Sequence, residues 1–240
     1  MERILTALAE LIFPTRCMTC GTVLDYQAIP VFCADCFSKI KFIQSPLCPC
    51  CGIPFETAAG SDHLCSDCID AAPVFTVARS VGCYENVLLD AIHQFKYRGK
   101  TATGKSLGKL MAEFSYPGFS IADYSLIIPV PLHLKRLRER GFNQSVILAR
   151  EIARSFSVPL DFMTLKKHIH TDPQVSLGKK EREKNVRGAF TVKRENTIKN
   201  ESILLVDDVY TTGSTLKECA RVLKNHGARE VAAITLARAV

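Results

Sequence analysis

The sequence predicts an α/β protein: a mostly parallel sheet with helices on both faces, preceded by a small cysteine-rich segment that folds around metal. Three observations point there. From residue 75 onward, aliphatic and β-branched runs alternate with stretches of helical period, as parallel sheets require. Nine of the eleven cysteines stand before residue 70. Charge divides at the same point: residues 1–72 hold four Lys/Arg against eight Asp/Glu, the remainder 27 against 16. The composition shift at Ala71-Ala72-Pro73 is the expected boundary between a zinc-ribbon segment, 1–72, and a domain, 73–240.

The opening, MERILTALAELIFPTRC, sets Ile4, Leu5, Leu8, Leu11 and Ile12 on one helical stripe. Glu2 and Glu10 interrupt it and no small-residue cleavage site follows. Both features argue against a signal peptide and for packing on the protein's own core. No apolar run approaches the ~18 residues of a membrane span, so the chain reads as cytoplasmic.

Four cysteine pairs follow at C-x-x-C spacing: Cys17/Cys20, Cys33/Cys36, Cys48/Cys51 and Cys65/Cys68. Twelve residues separate the first two pairs and thirteen the last two. In CMTCG and CPCCG a glycine follows the second cysteine, permitting the positive-φ turn that aims backbone amides at thiolates. Disulfides would need an oxidising compartment, and a redox pair would need a thioredoxin-like βαβ setting; neither is indicated. The spacing predicts two structural Zn2+ sites of four thiolates each, paired sequentially or cross-braced. Cys50 breaks the register and reads as a bystander. So small a segment needs metal to fold, and chelation is expected to unfold residues 15–70 while leaving the rest intact.

The second region alternates in order. FTVARSVGCY reads as a strand and NVLLDAIHQFKY as a helix with Val87, Ile92 and Phe95 inward. TGKSLGKLMAEF is helical and YSLIIPVPL a buried strand. NQSVILAREIARSF is a helix whose apolar side holds Val146, Ala149, Ile152, Ala153 and Phe156. SILLVDD is a strand, STLKECARVLKNHG a helix stopped at Gly227, and REVAAITLARA a last strand.

The chemistry lies in ILLVDDVYTTGSTL, where a buried strand ends in Asp207 and Asp208 and a hydroxyl-rich turn opens a helix. Ligands of parallel sheets bind at the carboxyl ends of strands. A helix N-terminus offers free N–H groups to a phosphate; Thr211, Thr212, Ser214 and Thr215 add hydroxyls, and Gly213 lets the backbone approach. Paired carboxylates would repel a phosphate, so they suit neutral hydroxyls. A sugar phosphate satisfies both halves. The acids are expected at a solvent-facing strand end.

These residues resemble the phosphoribosyl pyrophosphate (PRPP) signature of type I phosphoribosyltransferases. The resemblance implies Asp207 and Asp208 on the ribose hydroxyls, Tyr210 to Thr215 (with Thr211, Thr212, Gly213 and Ser214) around the 5′-phosphate, and Mg2+ with PRPP. IIPVPL, followed by LKRLRERGFNQS, resembles the pyrophosphate loop, implying roles for Pro131, Leu132, His133, Lys135, Arg136 and Arg140. DPQVSLGKKEREKNVRGAF resembles the family's flexible lid, with Gln174 and Arg182 as contacts. Together with the cysteine pairs and FKYRGK, the order of motifs resembles the ComF/GntX family over nearly the whole chain. That family implies a phosphoribosyltransferase-like fold and a link to DNA uptake in transformation, with other uptake components as partners. No general base is identifiable and the acceptor is open, so a non-catalytic PRPP- or nucleotide-sensing adaptor stands beside the enzyme reading.

A rival motif, GKTATGKS (Gly99–Ser106), satisfies the P-loop pattern. The AIHQFKYR ahead of it is polar and helical in period where a P-loop needs a buried strand. Charge supplies one more expectation. Residues 132–200 carry sixteen Lys/Arg against seven Asp/Glu, a basic mouth suited to single-stranded DNA. Lys96, Arg98, Arg136, Arg138 and Arg140 are its candidate contacts. Few aromatics interleave with them, so base stacking should be modest.

Overall fold

The computed structural model describes residues 16–24, 32–57, 60–97, 101–171 and 179–240. The N-terminal stripe, Arg98, the start of the P-loop-like stretch and Gln174 lie outside them. In the cysteine-rich region two short helices, α1 (Ala34–Ser38) and α2 (Ser66–Asp70), follow Cys33 and Cys65. Then come β1 (Ala78–Cys83), α3 (Asn86–Tyr97), α4 (Thr101–Glu113), β2 (Leu126–Pro129), α5 (Leu134–Arg140), α6 (Gln144–Phe156) and β3 (Leu165–Lys167). The order closes with α7 (Lys179–Val186), β4 (Phe190–Val192), β5 (Ser202–Tyr210), α8 (Ser214–Asn225) and β6 (Glu230–Arg238).

A four-stranded parallel sheet runs in the order β1-β6-β5-β2. Its central strands are aliphatic on both faces because helices cover both. Leu204, Val206, Ala232 and Ile234 meet the helical side chains Leu88, Ile92, Leu107 and Leu148. On the other face Ile203, Leu205, Val231 and Ala233 meet Leu216 and Leu223 of α8, with Leu165 and Phe190 of the antiparallel β3–β4 pair. Each such fully buried side chain contributes about 1.5–3 kcal/mol relative to exposure.

Two elements differ from the sequence reading. LKRLRERG, taken as loop, is helix α5. Leu, Lys, Arg and Glu are strong helix formers; His133 caps the start by accepting from the Lys135 amide, and Gly141 ends it at φ 80°. The stretch taken as one mobile lid is helix α7 from Lys179, followed directly by β4. Its charged residues favour helix, and Val186 is buried in the core shared with α8.

The cysteine-rich region is not a free-standing unit. β1 is a sheet edge, and that edge is covered: Ile43 N donates to Val81 O (2.9 Å), Cys83 N to Lys41 O (2.9 Å) and Ala78 N to Cys50 O (2.8 Å). Unpaired edges are a liability that such cover removes. The expectation that residues 15–70 unfold alone does not fit these contacts. Among the described residues no helix is long and apolar enough to cross a membrane.

Candidate functional site

β5 carries its ladder through both acids to Tyr210, so Asp207 and Asp208 belong to the sheet. Asp207 is half-buried and Asp208 enclosed, so the expected solvent-facing strand end does not hold for Asp208. Asp208 is 5% exposed, and its Oδ2 forms a close ion pair with Lys96 of α3, itself largely enclosed. That oxygen makes no hydrogen bond of good geometry, leaving acceptor capacity for a hydroxyl. Asp207 Oδ1 accepts from the Ser145 hydroxyl (2.8 Å) and from the Asp208 amide (2.9 Å). The two acids therefore titrate apart. Burial and the neighbouring Asp208 charge push Asp207 above the usual carboxylate range. Burial acts the same way on Asp208, but the Lys96 ammonium overrides it and holds that carboxyl below its ordinary value.

The turn after β5 is short: Thr211, Thr212 and Gly213, then the first turn of α8 with Ser214 and Thr215. Gly213 stands at φ 75°, and a Cβ there would lie 2.3 Å from Tyr210 Oη. Only glycine fits. Gly213 has no side chain to cap α8; the Ser214 amide makes a long hydrogen bond to Thr212 Oγ1 (3.4 Å), and the helix N-terminus faces the turn with donors suited to an anion. Thr212 and Ser214 hydroxyls are 2.7 Å apart at the same point. Tyr210, implied by resemblance as a phosphate contact, is buried with the Arg238 guanidinium 4.1 Å from its ring centre. It supports the turn from below. A cavity of about 180 Å3 beside the turn is lined by Thr211, Thr212 and Lys217 on one side and by Cys51, Asp67 and Cys68 on the other.

Past β2, Val130 N donates to Val206 O (2.9 Å), which holds Pro131, Leu132 and His133 next to β5. Asn143 fixes the far end, donating to Val130 O (3.0 Å) and capping α6 through the Ser145 amide (3.0 Å). Arg140 donates to Gln144 Oε1 (2.7 Å) and lies 5.8 Å from the Tyr97 ring centre; Gln144 in turn reaches Asp208. Lys96 thus meets Asp208 directly, and Arg140 is linked to it through Gln144. Arg136 pairs with Glu139 (3.4 Å), while Lys135 and Arg138 are exposed on α5. Lys96, expected as a surface contact for nucleic acid, is instead the buried partner of Asp208, because α3 packs against the same sheet face as α6.

The cysteines gather sequentially. Cys17, Cys20, Cys33 and Cys36 form one set and Cys48, Cys51, Cys65 and Cys68 the other, with ligand atoms within 4.8 Å of one another. Cys20 and Cys33 sulfurs are 3.5 Å apart and Cys51 and Cys65 sulfurs 3.6 Å. Those separations exceed a disulfide bond and approach the ~3.8 Å edge of a tetrahedron with Zn–S bonds near 2.3 Å. Four soft donors suit Zn2+ and leave no open position for catalysis. Cys50 belongs to neither set.

Two family models match: the phosphoribosyl transferase domain over residues 143–239 and the double zinc ribbon domain over residues 8–69. Competence protein F of Haemophilus influenzae is 31% identical over 231 residues, spanning 95% of this chain and 98% of its own length. The chain belongs to the competence protein F (ComF) family. Competence protein ComFC of Bacillus subtilis is 31% identical over 86% of this chain and 83% of its own. DNA utilization protein YhgH of Salmonella typhimurium is 31% identical over 94% and 97%. Among solved structures, orotate phosphoribosyltransferase from Aeropyrum pernix matches at TM-score 0.33 and 19% identity, over 57% of this chain and 60% of that one. That likeness is too distant to transfer any residue's role.

In this ComF-family chain, motif reading located the acids, the turn and the thiolates but missed Ser145, Gln144 and the pairing role of Lys96. Asn143 and Gln144 gave a partial signal by opening a helix; Ser145 and the Lys96 pairing gave none. The P-loop reading fails structurally: α3 precedes the stretch, and Gly104 lies inside α4, where a Cβ would come 2.3 Å from Phe95. Arg182 falls in α7, and its side chain is outside the described residues.

Proposed function

We propose that this ComF-family chain binds PRPP at the carboxyl end of β5 and carries single-stranded DNA on the neighbouring basic face, in DNA uptake or utilization. One observation supports the first part above others: the buried Asp208 carboxylate, ion-paired to Lys96, stands one short turn before a helix N-terminus entered through a positive-φ glycine that a Cβ would push into Tyr210. The acids would take the ribose hydroxyls and the turn the 5′-phosphate. Arg140 and Lys96 would offset charge at the pyrophosphate, so that positioning and electrostatics do most of any catalysis. Among the described residues only the two cysteine sets gather enough ligands for a metal. Mg2+ would therefore arrive on PRPP, supplying neutralisation of the leaving pyrophosphate.

PRPP titration by calorimetry tests this. At pH values above the raised pKa of Asp207, about 7, Asp207→Asn removes a charged acceptor worth ~1.5–3 kcal/mol, so affinity should fall at least about tenfold. Asp208→Asn alone would leave Lys96 buried and unpaired, so it is best made with Lys96→Met. A folded Asp207→Asn protein with unchanged PRPP affinity would sink the proposal. Stability gives an independent readout. The folded pKa of Asp207 lies above its unfolded value, so its contribution is intact at acid pH and declines as pH rises toward the folded pKa. Asp207→Asn should abolish that decline. Pyrophosphate release with candidate acceptors, DNA included, separates an enzyme from a binding module. DNA affinity should fall with salt at a log–log slope of about −0.7 per phosphate neutralised, more gently in a variant lacking Arg136, Arg138 and Arg140.

A further inference from the structure

A groove of about 1040 Å3 lies between α5, α6 and the start of β3, on the far side of the pyrophosphate loop, whose Pro131, Leu132 and His133 form one of its walls. Its floor is mainly aliphatic: Leu132, Leu134, Leu137, Val146, Ile147 and Met163. Of the ten large apolar side chains left exposed among the described residues, Leu134 (61%), Phe162 (44%) and Met163 (43%) all lie here. Singly scattered apolar residues need no explanation, but a cluster in a concave surface does. Helix α5 buries none of its residues, so Leu134 and Leu137, one turn apart, present an apolar edge that no other part of the described chain fully covers.

The rim is cationic. Lys105 and Arg150 are exposed and Lys166 half-buried, and none has an acidic partner among the described residues. The one acid in the groove, Glu151, is already held by Arg154 at 2.9 Å. An apolar floor with unneutralised cations around it calls for a ligand that is apolar on one side and acidic on its flanks.

Nucleic acid shares the charge but not the other half. Base binding needs free aromatic faces, and the two phenylalanines offer little: half-buried Phe142 lies 5.6 Å from Phe95 at a 31° tilt, and the Arg150 guanidinium stands 5.8 Å over one face of the exposed Phe162 ring. Aliphatic side chains at helical spacing are the usual lining of a groove that takes an amphipathic helix.

The geometry points to this groove as the docking site for an acidic amphipathic helix of a partner protein, placed against the outer side of the helix that follows the pyrophosphate loop. The test uses a fluorescent peptide of about 15 residues with leucines at i, i+4 and i+7 and glutamates elsewhere. A scrambled peptide of equal composition and a thymidine oligonucleotide serve as competitors. Fluorescence anisotropy should detect the striped peptide and not the scrambled one. Leu134→Ser should weaken it roughly tenfold, and Arg150→Glu with Lys166→Glu by at least as much. PRPP binding should be unchanged in all of these variants, since none of the three residues belongs to that site; this keeps the outcome independent of the PRPP reading. Equal binding of the scrambled peptide would reduce the groove to a charged surface. Displacement by the oligonucleotide, with its own affinity lost in the same variants, would assign the groove to nucleic acid. No binding of the striped peptide would overturn the inference outright.

Discussion

The two cysteine knuckles share ligand spacing, sulfur geometry and a positive-φ glycine, yet they join the fold by different means. The first docks through apolar burial. Cys17, Phe32, Cys36 and Ile40 belong to the same core as Val81, Leu88 and Ile92, and Gln94 of α3 donates to the Met18 carbonyl. The second forms a small cluster of its own with Ile53 and Phe55, tied to the sheet by buried cations. Arg238 donates to Cys51 O (2.8 Å) and Arg79 to Pro49 O (3.0 Å). Four thiolates on Zn2+ carry two net negative charges. In the first set Cys20 is exposed and water can screen them. In the second, where Cys48 is 0% and Cys51 5% exposed, the Arg238 guanidinium stands 3.6 Å from the Cys51 sulfur. Near-equal ligand spacing thus specifies a metal but not the attachment; the depth of burial decides whether a counter-charge is needed.

Metal removal should have the largest effect. The protein is expected to carry about two zinc ions per chain. Because each structural site contributes on the order of 10 kcal/mol or more and both are joined to the sheet, stripping them should unfold the knuckles and the sheet together. Circular dichroism recorded alongside zinc release should report one transition. A sheet signal that persists after complete metal loss would mean that both attachments are weak.

The modes of attachment should then separate. Phe32→Ala empties a fully buried position in the shared core and should cost about 3–5 kcal/mol, with zinc lost first from the first set. Arg238→Met leaves the Cys51 carbonyl without its donor and the thiolates without their cation. It should cost about 2–4 kcal/mol, with zinc lost first from the second set. Denaturant titration with metal counting measures both; if each variant releases the same metal, the division is wrong.

A finer comparison uses the two glycines. Gly21 (φ +76°) has open space around its Cβ position, whereas at Gly52 (φ +72°) a Cβ would lie 2.4 Å from the Ala78 carbonyl oxygen. Gly21→Ala should cost only the left-handed backbone penalty, ~1–2 kcal/mol. Gly52→Ala adds a clash with backbone that must shift, for ~1–3 kcal/mol more. Equal melting temperatures for the two variants would show that the second knuckle sits less tightly on β1 than described.

Legibility followed locality. The four cysteine pairs, the strand SILLVDD (which the structure extends to Tyr210) and the TTGST turn were readable because metal spacing, sheet period and helix-start chemistry are encoded within a few residues. α5 escaped because a basic, glycine-terminated stretch following the pyrophosphate-loop motif looks like more loop, although its residues favour helix. α7 escaped for the related reason that charge density resembles mobility until Val186 is seen buried.

The sequence by itself determined the parallel sheet, eight thiolates in four metal-spaced pairs, and an acid pair leading into a hydroxyl-rich turn, while the grouping of those pairs into two sets came from the structure. Only the tertiary structure decided which groups meet. Ser145 reaches Asp207 across 62 positions, and Arg238 reaches Cys51 across 187; Lys96 meets Asp208 from a helix on a different crossover. Each pairing depends on how the crossovers stack α3, α6 and the knuckles on one sheet. No periodicity or spacing carries that information, because the energy that selects it comes from burying whole faces together, and the charged partners are then those that burial brings into reach.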